Sequence, residues 1–257
     1  TYARAREATT PAQRQAVLAE FTRADDNWTK SALLAAASEN SAAFITEALK
    51  SAQPGTLAPF VSALVGSVQP QEAAALVQAA AAASSAANPL KLTLLHGLAQ
   101  LGSELPQLPA ATIQHLRTLI QNPDTAAAAL PLVATWDKAG ALASITDETV
   151  RRLLVELDAP NTSDERRAAA AAALLALPKS RAEALAKVGT LLARANASHE
   201  LRVPLLAALG DRPGADATTM LLNAYAASKS TAIFDQLLKR ADSSRALLNA
   251  LRAGRIT

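Results

Sequence analysis

The stretch Arg202-Val203-Pro204-Leu205-Leu206-Ala207-Ala208-Leu209 decides how this chain is read. It opens on a base, sets a leucine pair three and four positions later, and adds another apolar residue at position seven. In an α-helix those positions share one face, because residues three, four and seven apart stack along the axis. Lys30-Ser31-Ala32-Leu33-Leu34-Ala35-Ala36-Ala37 and Lys91-Leu92-Thr93-Leu94-Leu95-His96-Gly97-Leu98 repeat the pattern. Their separations are rough multiples of about 30 to 40 residues, the period of two-helix units stacked into a solenoid.

Composition points the same way. Of the 257 residues, 64 are Ala and 40 are Leu, while aromatics are 3% and Gly only 9 residues. Ala and Leu are strong helix formers, and the β-branched and aromatic residues that favour sheets are scarce. An all-β fold is excluded and a parallel α/β sheet disfavoured, since no β-branched strand runs recur. A hydrophobic content of 50% and a mean hydropathy of +0.12 exclude wholesale disorder.

Pro, Gly, Asn, Asp and Ser punctuate the chain into helical segments. They are expected near 11–22, 27–38, 41–52, 56–67, 70–87, 89–101, 109–121, 124–139, 146–158, 163–177, 180–196, 198–210, 215–228, 231–241 and 244–253. Thr10-Pro11-Ala12-Gln13 reads as a capping box with Pro at the first helical position, and Ser180-Arg181-Ala182-Glu183 as a second box. Gly102, Gly140 and Gly210 read as helix stops. So many short helices on short links give antiparallel neighbours in a stack rather than a closed bundle.

The expected fold is therefore all-α: one domain over 1–257, an α-solenoid or right-handed superhelix of about seven antiparallel helix pairs. The first residue is Thr1 rather than Met, and Thr1-Tyr2-Ala3-Arg4-Ala5-Arg6-Glu7 is no signal peptide, so a piece of a larger multidomain protein is expected.

Asp164-Glu165-Arg166-Arg167 followed by Ala168 to Leu175 resembles the second helix of a HEAT-type repeat, Asp-x-x-Arg-x-x-Ala. Asp25 to Leu33 and Glu200 to Leu205 are looser versions. Leu201 to Leu209, with Ala241-Asp242-Ser243-Ser244-Arg245-Ala246-Leu247-Leu248-Asn249-Ala250-Leu251-Arg252-Ala253-Gly254-Arg255-Ile256, resembles the helical region of secreted haem-binding dehydrogenase-like proteins of planctomycete and verrucomicrobial type. The Trp28 helix is similar to that family's early repeats. The resemblance implies a HEAT-like (armadillo-like) middle segment between a β-propeller and a C-terminal c-type cytochrome, and a periplasmic or secreted location. It departs in one respect. The chain has no Cys, so no Cys-x-x-Cys-His haem site lies in it.

No constellation in the chain names a chemistry of its own. The three His, His96, His115 and His199, lie far apart without metal-ligand spacing, and no phosphate-binding glycine loop or Gly-x-Ser-x-Gly elbow occurs. The carboxylate pairs Asp25/Asp26, Asp147/Glu148 and Asp164/Glu165 all sit at expected helix starts, where the helix dipole favours them. No catalytic, cofactor-binding or metal-binding residue is assigned, no cofactor is expected, and the segment is read as non-enzymatic.

The function expected is a scaffold for domain–domain or protein–protein interaction, within a parent protein that the resemblance makes an oxidoreductase. The alternative is a HEAT-like nucleic-acid-binding or base-excising protein, which needs a basic face and aromatics around a pocket. Against it, the net charge is only +3 with a pI near 9.4, and eight aromatics (Tyr2, Phe21, Trp28, Phe44, Phe60, Trp136, Tyr225, Phe234) are dispersed as core anchors would be. Arg151-Arg152 and Arg166-Arg167 stand beside Glu156, Asp164 and Glu165, the pattern of salt-bridged solvent faces. Trp28 and Trp136 are both expected in the core. Between Glu72 and Glu104 only Lys91 is charged. A helix there with no charged face is expected to be covered on more than one side, by another domain or subunit. Pro89 and its many Ala, Gln and Ser exclude a membrane span.

Overall fold

The computed structural model describes residues 6–102, 108–193, 198–212 and 214–256. Tyr2, Glu104, Pro213 and the expected helical end at 194–196 lie outside the described residues. The described chain is all-helical. It divides into two compact units, Thr1–Thr146 and Asp147–Thr257.

In the first unit the helices are α1 (Pro11–Arg23), α2 (Asn27–Ala37), α3 (Ser41–Ala48), α4 (Ala58–Val65), α5 (Pro70–Ala82), α6 (Asn88–Gln100), α7 (Ala110–Gln121) and α8 (Ala126–Trp136). Helix α9 (Ala143–Asp158) carries the boundary between the units. The second unit continues with α10 (Asp164–Ala176), α11 (Arg181–Ala193), α12 (His199–Gly210), α13 (Ala215–Ser228), α14 (Thr231–Leu238) and α15 (Ala241–Arg252).

Local chemistry sets the helix ends. Thr10 and Gln13 form the expected capping box: the Thr10 hydroxyl accepts from the Gln13 N–H at 3.3 Å, and Gln13 Oε1 accepts from the Thr10 N–H at 3.0 Å. The Ser180 box takes another form. The Ser180 hydroxyl is buried and donates to the Leu174 carbonyl at 2.9 Å, tying the start of α11 to the end of α10. Thr125 does the same to Leu119 at 2.6 Å and Ser243 to Leu237 at 2.8 Å. A Leu-x5-Ser/Thr spacing thus pins three turns, bringing a hydroxyl donor to a carbonyl near the end of the preceding helix.

Two expected helices are shorter because a one-turn 3-10 segment takes part of each: Pro54–Leu57 ahead of α4, and Ser85–Ala87 behind α5. Gly102 and Gly140 have φ of 62° and 74°, as helix stops require. Gly210 does not. It is the buried last residue of α12, and a Cβ there would stand 2.6 Å from Gln236 Oε1 of α14. Its role is close approach of two helices rather than a left-handed turn.

Within each unit the recurring contact of the helices α1–α8 and α10–α15 is with the helix next but one along the chain. In the first unit α1, α3, α5 and α7 meet in sequence, and so do α2, α4, α6 and α8. In the second, α10 meets α12 and α12 meets α14, while α11 meets α13 and α13 meets α15. Side-chain bonds follow the same step. Gln15 to Glu47, Asn88 to Asp124 and Lys239 to Asp211 join positions 32, 36 and 28 residues apart. Ser198 to Asp164 and Lys187 to Asp158 join positions 34 and 29 apart. The spatial period is therefore one helix pair.

The repeated sequence pattern falls on that period. Lys30, Lys91, Arg167 and Arg202 are each the fourth residue of an even-numbered helix, α2, α6, α10 and α12. The leucine pairs of α6 and α12 face inward, Leu94, Leu95 and Leu98 being buried, as are Leu205, Leu206 and Leu209; in α2 Leu33 and Ala37 are buried and Leu34 is half-buried. Two of the bases also close the preceding turn. Lys91 Nζ donates to the Ala83 carbonyl at 2.7 Å, and Arg167 to the Ala159 carbonyl at 2.6 Å, placing cations at helix C-termini.

The aromatic residues are less dispersed than their sequence positions imply. Phe21, Phe44 and Phe60 converge in the first unit, with ring centroids 4.9 Å apart for Phe21–Phe60 and 6.1 Å for Phe44–Phe60. All three are buried. They belong to α1, α3 and α4, which no pairwise spacing along the chain brings together.

Gly97 marks a close approach of α6 to α4. A Cβ on it would lie 2.4 Å from Val65 Cγ1, so α6 approaches α4 as closely as a missing side chain allows. Gly97→Ala is expected to destabilise the fold by about 1–3 kcal/mol through overpacking. Adding Val65→Ala recovers part of the loss, a non-additivity that urea unfolding of the double-mutant cycle measures. Ser180→Ala, which removes one of two donors to the Leu174 carbonyl and leaves the Leu177 N–H on it, costs about 0.5–1.5 kcal/mol in the same assay.

Candidate interaction surfaces

The carboxylate pairs are placed by helix ends, with one exception. Asp26 is the N-cap of α2 and accepts from the Thr29 N–H at 2.7 Å, a bond that holds its carboxyl below the usual carboxylate range. Asp164 and Glu165 occupy the first turn of α10, behind the Ser163 cap. Asp164 also accepts from Arg167 at 3.1 Å and from Ser198, the N-cap of α12. Asp147 and Glu148 correct the expectation: they lie in the second turn of α9, which starts at Ala143. The Asp137 carboxylate causes the earlier start, taking the N–H groups of Ala141 and Leu142 at 2.9 and 2.7 Å and turning the chain into α9 sooner.

His96 pairs with Gln100 at 2.8 Å, and among the described residues no group of three or more His, Asp or Glu is placed to hold a metal. Arg166 meets Glu156 at 3.5 Å, so this base is part of an ion-paired face, as its sequence context suggests. No described helix is long and apolar enough to cross a membrane.

The two tryptophans part company. Trp136 is 3% exposed, closing the core at the end of α8. Trp28 is 89% exposed, which overturns its expected place in the core. It is the second residue of α2, and the inward face of that helix belongs to Leu33, Ala36 and Ala37, so Trp28 points away from it.

The chain itself covers one side of the charge-poor stretch. Helix α5 buries Ala73, Leu76, Val77 and Ala80 and shows water Gln71, Ala75, Gln78 and Ala82, so within the chain it is covered on one face only. Its neutrality reflects an exposed surface of amides and small residues. Lys91, the single cation between Glu72 and Glu104, is buried. Burial pushes its ammonium below the ordinary lysine range, against the partial support of Asp124.

A different surface concentrates both apolar area and charge, and composition alone does not single it out. At the end of the second unit, Lys239, Arg240, Ala241, Asp242 and Arg245 line an open depression of about 490 Å³. Lys239 pairs with Asp211 at 3.0 Å and Arg240 with Asp242 at 3.1 Å; the latter bond is the main reason the Asp242 carboxyl titrates low. In the same stretch of chain Leu238, Leu248 and Leu251 are 51%, 53% and 42% exposed. A helical projection of Ala241 to Arg252 shows the signal in retrospect, with leucines at both inward and outward positions.

The chain matches no protein family, and comparison with curated proteins and with solved structures finds no significant similarity.

Lys91 supplies a test of this electrostatic picture. Its folded form gives up a proton at lower pH than the unfolded chain does, so between those two values the unfolded state binds more protons. Stability therefore rises with pH through that alkaline window and carries a penalty below it. Lys91→Met flattens the rise, a difference read from urea midpoints followed across alkaline pH.

Proposed function

We propose that the chain is a HEAT- or armadillo-type α-solenoid that acts as a non-catalytic scaffold for neighbouring domains or a protein partner. One observation carries the reading: within each unit helices pack against the next but one, with side-chain bonds recurring at 28 to 36 residues. Closed bundles gather their helices around a single core, whereas stacked repeats touch only their neighbours in the stack. The bases at the fourth residue of α2, α6, α10 and α12 support the same period. So does the Asp164–Arg167 contact, which joins the two charged positions of the HEAT-like motif.

Following the resemblance in Asp164–Leu175, Leu201–Leu209 and Ala241–Ile256, the setting we propose is the helical middle of a secreted haem-containing dehydrogenase-like protein. Redox chemistry would then belong to the flanking domains, and this segment would space them. The parent reading frame tests that setting: a β-propeller upstream and a Cys-x-x-Cys-His downstream are expected, and a frame with neither removes it.

The scaffold architecture has its own test in native-state hydrogen exchange. A solenoid opens from its ends, so α1 and α15 are expected to exchange through openings of lower free energy than the internal helices of their units. A single opening free energy shared by all helices of a unit would contradict the stacked architecture.

A further inference from the structure

We propose that the outward face of α15, together with Leu238, docks an acidic amphipathic helix of a separate protein. The proposal rests on the scaffold reading and names the partner chemistry for one of its surfaces.

The argument starts from how α15 is fixed. Leu247 and Ala250 are buried, and the buried Ser243 hydroxyl is tied to the Leu237 carbonyl at 2.8 Å. The rotation of the helix is thereby set, and its opposite face cannot turn inward. That face is read off at helical spacing: Ala241, Arg245, Leu248 and Arg252 follow at i, i+4, i+7 and i+11, with Leu251 beside them. All five are exposed.

Two features set this face apart from the rest of the chain. The first is apolar. Among the described residues, Leu238, Leu248 and Leu251 are the exposed leucines of a chain with 40. They lie within one helix and the residue that ends the helix before it. Scattered exposed leucines are ordinary, but a cluster at one end of a unit marks a surface that associates.

The second feature is charge. Residues 239–257 hold five bases and one acid, whereas residues 1–238 hold 20 bases and 21 acids. The positive excess of the whole protein therefore sits in this last stretch. Lys239 and Arg240 are engaged with Asp211 and Asp242, but Arg245 and Arg252 have no carboxylate partner among the described residues.

Together these features select the partner. Arginines alternating with leucines match a helix whose apolar stripe is flanked by Asp or Glu: the leucines lose water and the guanidinium groups gain carboxylates. A phosphate backbone would use the arginines but leave the leucines facing water. Helix α15 is 12 residues long, and at 1.5 Å per residue it offers a track of about 18 Å, enough for about three turns of a partner.

The test uses the whole chain and a fluorescent synthetic helix of four turns, with Leu at i, i+3, i+4 and i+7 and Glu at the remaining positions. Anisotropy is expected to show micromolar binding that weakens at least ten-fold in Arg245→Glu/Arg252→Glu and at least five-fold in Leu248→Ser. Both variants change exposed side chains, and an unaltered circular-dichroism melt verifies that they remain folded. The same peptide with Lys in place of Glu is expected not to bind.

Three results would overturn the proposal: peptide affinity indifferent to all these substitutions, tighter binding to duplex DNA, or tighter binding to phosphatidylserine vesicles. Arg245 and Arg252 already shielded from phenylglyoxal in the full-length protein without peptide would do so too, since another part of the polypeptide would then cover the face. Loss of peptide binding while α1 and α15 still exchange through lower-energy openings than the internal helices removes the docking alone. Uniform exchange removes the scaffold reading beneath it.

Discussion

Helix α6 lies against α4 on one side and α8 on the other, and the burial of Leu94, Leu95 and Leu98 between such neighbours is the contact on which the first unit depends. A helix with two flanking partners must be apolar over more than a narrow stripe, and it must let backbones come close. The chain meets both needs with few residue types. Leucine pairs fill the seam, while Ala and Gly shorten the distance, as at Gly97 against Val65 and Gly210 against Gln236. Side chains of larger volume at these two glycines would force the neighbouring helix outward.

The same constraint explains where polar atoms go. Short links between closely packed helices leave terminal carbonyls where water has little access, and these must find partners in the chain. Thr125, Ser180 and Ser243 supply hydroxyls, and Lys91 and Arg167 supply cations. A cation used this way pays a desolvation cost, visible in the lowered titration of Lys91. Many of the polar side chains of the chain are thus committed to holding turns. The surface at α15 differs because its arginines are not so committed, and its leucines are left over from a helix whose inward face is already filled by Ser243, Leu247 and Ala250.

Much of the helical layout was legible from residue order, and the reasons are local. Capping at Thr10, the N-cap of Asp26 and the glycine stops at 102 and 140 act within a few residues, so a sequence displays them directly. Periodicity of leucine pairs likewise names the buried face of α2, α6 and α12 before any neighbour is known. The surfaces were far less legible. Trp28 looks like a core anchor among Leu and Ala, yet only the direction of the inward face of α2 shows that it stands in water. The α15 face was hidden for the opposite reason, since one helix carries leucines on both its sides and composition cannot tell which set meets a partner.

Sequence by itself determined the all-helical class, the approximate positions of most helices and the inward leucines of α6 and α12, because propensity, capping and 3.6-residue periodicity act between near neighbours. Tertiary structure alone decided the division into two units, the convergence of Phe21, Phe44 and Phe60, the close-approach role of Gly210, and the exposure of Trp28 and Leu248. Those outcomes depend on which helix lies two positions further along the chain. That contact joins residues about one helix pair apart, beyond the reach of any local rule.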